Sequence, residues 1–127
     1  MAGVALDFHL SDVEAWDWTA RRFDAVVAVF IQFSPPDQRR AVFRGIDVAL
    51  KPGGTLLLHG FAPRQVEYGT GGPPHAENMY TLDLLTDAFA GYEIVHQADY
   101  DEVVDAGVGH NGLAAMVDFV ARKPKPA

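Results

Sequence analysis

The sequence predicts an α/β fold with a parallel sheet, and three features of residues 23–61 carry that prediction. Phe23 to Phe30 is a short run rich in β-branched and aromatic residues, apolar on both faces, as a strand covered on both sides requires. Val42, Phe43, Ile46, Ala49 and Leu50 recur at helical spacing, with Asp37, Arg39, Arg40, Arg44 and Asp47 mostly on the other face. Thr55 to Gly60 is a second apolar run. Strand, helix and strand in that order make a βαβ unit, whose crossover is right-handed.

The boundaries follow from the residues that flank these runs. Ser34 is expected to cap the helix, with proline next to it where a missing N–H costs nothing. Lys51-Pro52-Gly53-Gly54 is expected to stop it: lysine suits the negative helix end, proline cannot continue, and glycine takes the left-handed turn. Upstream, Val4 to Leu10 reads as a strand ending in a turn at Ser11-Asp12, and Val13 to Trp18 as an acidic, aromatic connection. Residues 61–79 form a long loop around Gly69-Thr70-Gly71-Gly72-Pro73-Pro74; a loop of this length in a compact domain is functional or disordered. Tyr80 to Ala90 fits a short helix capped by Thr81 and ended by Gly91. Tyr92–Ala98 and Leu113–Ala121 read as strands, joined through the glycine-rich stretch 107–112 as an antiparallel edge hairpin.

Composition narrows the function classes. At 127 residues the chain fits a single domain, and its formal net charge of −7 argues against nucleic-acid or anionic-membrane partners, which need clustered cations. With no cysteine, disulfides, thiolate zinc sites and a cysteine nucleophile are excluded. His9, His59 and His96 lack ligand-like spacing, so no metal site is expected. Without a long apolar run or a signal-like N-terminus, a soluble cytoplasmic protein is the expectation.

Phe23-Asp24-Ala25-Val26-Val27-Ala28, a helix ending Ala49-Leu50-Lys51-Pro52-Gly53-Gly54, and then Leu56-Leu57-Leu58 resemble the central part of class I S-adenosylmethionine-dependent methyltransferases, in particular their small-molecule and tellurite-resistance-like branch. The closing antiparallel strands match that family too. The resemblance implies a truncated Rossmann-like methyltransferase sheet, mostly parallel, with a C-terminal antiparallel pair. It implies S-adenosyl-L-methionine as cofactor and a small-molecule acceptor. The family opens with a strand, a Gly-x-Gly-x-Gly loop and a second strand ending in an acid for the ribose, because glycines admit the ligand and a carboxylate accepts from both hydroxyls. This sequence has neither part, and the Gly69–Gly72 cluster, followed by Pro-Pro, does not replace them. Two alternatives to an active enzyme therefore stand: an inactive, methyltransferase-derived binding or scaffold domain, and a fragment of a longer methyltransferase.

By the same resemblance, Asp12 and Val13 occupy the place of the acidic and apolar pair beside the adenine, and Asp12 equally suits an Asx turn. Ala28, Val29 and Phe30, at the end of the central strand, would line the methionine part of the cofactor, or else pack the core. Gln32 and Phe33 are candidates for touching substrate or for capping the sheet. Tyr68 and Tyr80, with His75 and Asn78, are candidates for a substrate lid, and equally for an ordinary surface loop. His110, between glycines, is a candidate for substrate orientation or for a structural turn. Asp99, Asp101, Glu102 and Asp105 read as a solvated acidic face. In the family the first strand lies beside the fourth, here Phe23–Phe30, so that edge must be filled by Val4–Leu10 or by a second copy; a homodimer is the expectation.

Overall fold

The computed structural model describes residues 5–7, 9–13, 15–105 and 111–126. Strand β1 (Phe23–Val29) leads through helix α1 (Pro36–Ala49) into strand β2 (Leu50–Phe61). A one-turn helix α2 (Gln65–Tyr68), a 3-10 turn (Ala76–Asn78) and helix α3 (Leu82–Ala88) precede strands β3 (Glu93–Asp105) and β4 (Asn111–Arg122). The sheet order is β1-β2-β4-β3, with β1 parallel to β2 and both other pairs antiparallel. The mostly parallel sheet expected from the sequence is thus a mixed one. A single βαβ crossover makes a single parallel pair, and β4 then inserts between β2 and β3.

Helices α1 and α3 lie on one face of this sheet. Val42, Phe43 and Ile46 of α1 and Leu85 of α3 form one cluster with Ala28, Leu56, Leu58, Val117, Phe119 and Ala121 from the strands, and Phe89 wedges between Phe43 and Phe119. Side chains alternate along each strand, so the intervening residues point away from the helices. Val27 is 64% exposed, Val29 50% and Leu57 42%. A strand apolar on both sides is therefore covered on one side among the described residues.

Several local expectations are met at the residue level. Thr81 caps α3, its hydroxyl accepting from Leu84 N at 3.1 Å, and Gly91 adopts the left-handed conformation just beyond that helix. Others are corrected. Ser34 is not the cap of α1; Pro35 holds that position and makes no side-chain bond. Lys51 does not serve the C-terminal end of α1 but reaches Asp24 at 3.3 Å. Lys123 serves it instead, donating through Nζ to the carbonyls of Asp47 and Leu50. The Lys-Pro-Gly-Gly segment lies at the start of β2, where Gly53 takes a positive φ of 82° and hydrogen-bonds Lys123. Residues 5–7, 9 and 10 carry no strand, and Leu6 and Leu10 are exposed, because no neighbouring strand offers them a ladder. The edge of β1 thus has no strand beside it among the described residues.

Gly45 gives the clearest packing test. It is buried mid-helix on α1, and a Cβ there would meet the Trp18 indole at 2.4 Å. In a free helix Gly→Ala gains about 1 kcal/mol, while overpacking costs about 1–3 kcal/mol. Gly45→Ala is therefore expected to destabilise by about 1 kcal/mol and to expose Trp18; urea unfolding followed by tryptophan emission measures both, and a stabilised variant would contradict the packing.

Candidate functional site

Ligands of open α/β sheets bind beyond the carboxyl ends of the strands, which here means the region after Val29 and Phe61. The chain leaves β1 through Phe30, the one non-glycine residue with positive φ (53°) among those described. That conformation costs a phenylalanine on the order of 1–3 kcal/mol and persists only where the surroundings enforce it. Phe30 N donates to His59 O at 2.9 Å, and its ring stacks on Phe61 with centroids 4.7 Å apart and meets His59 edge-on at 5.0 Å. Two residues further, Gln32 is 1% exposed, and both ends of its amide are engaged by one residue: Nε2 donates to Phe61 O and Oε1 accepts from Phe61 N, each at 2.7 Å. Gln32 thus substitutes for a ladder where β2 leaves the sheet.

Gln65 does the same for the long loop. Its Nε2 donates to Thr70 Oγ1 at 2.9 Å and to Gly71 O at 3.0 Å, and its Oε1 accepts from Ala115 N at 2.8 Å. Thr70 Oγ1 in turn donates to Leu113 O at 2.7 Å. Gly72, at φ 86°, lies so close over the Phe61 ring that a Cβ would sit 2.7 Å from it. The loop is therefore fastened down, and beneath it an apolar cavity of about 220 Å3 opens between Phe30, Phe61, Gln65, Thr70, Val104, Ala114 and Met116.

Beside the cavity, on the sheet face without helices, stands a polar cluster. His59 lies opposite Asp118 in the β2–β4 register, and His59 Nδ1 is 2.6 Å from Asp118 Oδ1. The Tyr100 hydroxyl donates to the same oxygen at 3.0 Å, and His96 Nε2 is 3.9 Å from Asp118 Oδ2. Burial, supported by the bond to Asp118 and its charge, pushes the Tyr100 phenol up to about 12. Among the described residues no group of three or more potential metal ligands comes together.

The expected site residues are partly gathered here. Val29 and Phe30 are exposed at the end of β1, whereas the Ala28 side chain is buried in the helix-side core, leaving only its backbone for a ligand. Val13 is half-buried against that same core, near Trp18 and the first turns of α1, and Asp12 is exposed. Phe33 is exposed. Tyr68 donates to Asp101 Oδ2 at 3.0 Å, beside Arg64, which bridges Asp99 at 2.7 Å and Asp101 at 2.8 Å. All four members of the acidic run are exposed, as a solvated face requires, and two of them also tether the loop. Burial opposes the Arg64 charge, but the bonds to Asp99, Asp101 and Tyr68 outweigh it and raise its pKa. Tyr80 is 1% exposed, packed on Phe43 with Arg39 over its ring, and is a core residue with its phenol pKa raised by burial. His110 lies outside the described residues. Gln65, Thr70 and Asp118 carry no motif in their spacing along the chain, and His59 enters the sequence reading only as a histidine without ligand-like spacing.

This architecture is shared by solved structures. TehB from Haemophilus influenzae superposes with a TM-score of 0.70 at 13% identity, over 91% of this chain and 40% of TehB. A SAM-dependent methyltransferase from Methanosarcina mazei gives 0.66 at 17% identity, over 94% of this chain and 68% of its own. The N-methyltransferase NodS from Bradyrhizobium japonicum, in complex with S-adenosyl-L-homocysteine, gives 0.63 at 14% identity, over 91% of this chain and 53% of NodS. The fold is the methyltransferase fold. At these identities the likeness establishes the fold alone, and the chain spans about half the length or less of TehB and NodS. No family model matches the sequence, and no curated protein does. No described helix of this methyltransferase fold is long and apolar enough to cross a membrane.

Two predictions test the site's framework. Gln32→Leu leaves the buried N–H of Phe61 unpaired, at about 1–3 kcal/mol, while its C=O keeps the bond from Tyr80 N at 3.1 Å. Urea unfolding should show a loss of about 1–3 kcal/mol, and hydrogen exchange at Phe61 should accelerate; an unchanged exchange rate there would contradict the clamp. Tyr100, with its folded pKa raised above its ordinary value, contributes stability below pH 10 and loses it as pH rises through about 12. Stability is therefore expected to fall between those values, and less steeply in Tyr100→Phe, as read from urea midpoints across the series. The slope that remains belongs to Tyr80 and Tyr92, which burial also raises.

Proposed function

We propose that the chain is the acceptor-side part of a cytoplasmic S-adenosylmethionine-dependent methyltransferase for a small molecule, assembled as a homodimer through the β1 edge. The observation that carries this reading is the superposition of more than nine-tenths of the chain on methyltransferases, one of them holding S-adenosyl-L-homocysteine. The residues present fit one side of such a ligand. By the resemblance, Val29, Phe30 and the Ala28 backbone would serve its methionine part, and Asp12 and Val13 would lie beside the adenine. S-adenosylmethionine supplies a methyl already activated on a sulfonium, so the chain's task is to align an acceptor and exclude water. No protein nucleophile is required for that, and the fastened loop over an apolar cavity suits it.

What supports the homodimer is that, among the described residues, no strand pairs with the outer edge of β1, and that Val27, Val29 and Phe30 near it are exposed. A twofold axis sets β1 antiparallel to its copy and joins two four-stranded sheets into one of eight. A second reading, a domain that holds cofactor only when completed by the rest of a longer methyltransferase, is favoured by the 40% and 53% of TehB and NodS that the chain spans.

Without the glycine loop and ribose carboxylate, at least two charge-assisted bonds of about 1.5–3 kcal/mol are missing, which weakens binding by a hundredfold or more. Titration calorimetry with S-adenosyl-L-homocysteine is expected to give a Kd of roughly 0.1–1 mM, weakened about tenfold by Asp12→Ala. Sedimentation of the same sample is expected to show a dimer. A dimer without binding at millimolar ligand would favour the scaffold or the incomplete domain, and a monomer would remove the proposed assembly.

A further inference from the structure

The apolar cavity and the His59–Asp118 pair belong to one surface. His59 and Phe61 are two residues apart on β2, and Asp118 and Met116, directly opposite them, are two residues apart on β4. Both pairs therefore face the same side, and the strand rise sets them about 7 Å apart. Tyr100, opposite Met116 on β3, closes the polar end, while Phe30 touches both the His59 ring and the Phe61 ring.

The chemistry of the two ends differs. In the cavity the polar wall groups are already used: the Gln65 amide by Thr70, Gly71 and Ala115, and the Thr70 hydroxyl by Leu113. What the cavity offers a guest is apolar surface from Phe30, Phe61, Ala114 and Met116. An apolar cavity of about 150 Å3 takes benzene, so 220 Å3 is room for one substituted ring. At the polar end, Nδ1 of His59 lies 2.6 Å from a carboxylate oxygen, so Nδ1 carries the hydrogen and Nε2 is the basic nitrogen of the neutral ring. Nε2 has no hydrogen-bond partner among the described residues, and the side chain is 27% exposed. The charged and titratable groups facing it among the described residues are Asp118 on β4 and, through Asp118, Tyr100 and His96 on β3; β1 contributes Val29, and Phe30 follows it.

We propose that this cavity binds an uncharged one-ring compound bearing a hydroxyl, with the ring between Phe30 and Met116 and the hydroxyl directed at His59, which accepts its proton. Asp118 is the positioning residue that fixes the tautomer. The inference rests on the methyl-transfer reading for its purpose, since removing a proton turns a hydroxyl into the better nucleophile, and it names the acceptor class. It stands on this chain's own residues for its binding.

The test uses phenol and benzene as probes with methyl-labelled methionine and 15N-labelled histidine. Phenol is expected to give saturable shifts of the Met116 methyl and ring contacts to Phe30. It should bind about tenfold more tightly than benzene, the worth of one hydrogen bond. In His59→Phe that preference should fall to about one, with benzene still bound. Ala114→Leu should fill the cavity and weaken both probes at least tenfold, while an unchanged far-ultraviolet circular dichroism spectrum reports an intact fold. The His59 nitrogen shifts should show hydrogen on Nδ1 in the parent protein and a mixed tautomer in Asp118→Asn. No saturation by phenol, contacts elsewhere, equal binding of phenol and benzene, or hydrogen on Nε2 would each overturn the proposal. Calorimetry with S-adenosyl-L-homocysteine on the same sample separates the two readings. Cofactor binding without phenol binding removes this inference alone, and phenol binding without cofactor binding removes methyl transfer and leaves the site.

Discussion

Leu56 and Leu58 point from β2 into the helix layer, while Leu57 and His59 point away from it. That alternation, fixed by the pleat of a strand, constrains everything else in the molecule. It assigns Ala28, Val117 and Phe119 on the neighbouring strands to the buried side and Val29, Met116 and Asp118 to the open one. A one-residue slip of β2 against β4 would exchange the two sets and bring His59 into the aliphatic core, where a polar ring without its partner costs more than a methyl gains. Register is therefore specified strongly, and the positions of His59 and Asp118 are specified with it.

Seen this way, the extent to which the molecule was legible in its sequence has a physical explanation. Elements whose signals are local were readable: the apolar run of β1, the helical spacing of Val42, Phe43 and Ile46, and the Thr81 cap of α3. Features that depend on β4 lying between β2 and β3 were not. Lys123 reaches the end of α1 from 73 positions away, and Gln65 accepts from Ala115 across 50. The His59–Asp118 pair spans 59 positions, and no spacing rule connects its members until the sheet order is known. Residues 5–7, 9 and 10 fail in the opposite sense, Val4 and Phe8 of that expected strand lying outside the described residues. Their composition suits a strand, but a strand is a relation between two segments, and no described segment pairs with them. The acidic run is exposed as its composition suggests, but its tethering role is not legible for a similar reason, since Arg64 and Tyr68, which meet Asp99 and Asp101, lie more than 30 positions away.

The polar groups of the site divide into those that build it and those that are left over. Gln32 and Gln65 hold backbone groups that lack ladder partners, and both are buried; each is committed to structure by the cost of leaving an amide unpaired. Phe30, strained at positive φ, is held by a backbone bond to His59 and by two rings. Strain persists where surrounding contacts overdetermine it, and here those contacts converge on the junction between cavity and histidine.

The open face also bears on what can cover it. Exposed Val27, Val29 and Leu57 favour burial, while His59, Asp118 and Tyr100 on the same face ordinarily oppose it. Asp118 removes most of that opposition, because its carboxylate accepts from both His59 and Tyr100, leaving His59 Nε2 without a hydrogen-bond partner among the described residues. A network satisfied in this way tolerates a low dielectric, and each of its bonds strengthens there. The face is thus suited to being closed over by apolar surface provided that the cover, or a guest beneath it, brings one donor to His59. That requirement is chemical as well as steric, and it selects a hydroxyl-bearing ring over a purely hydrocarbon one for the space beside Phe30.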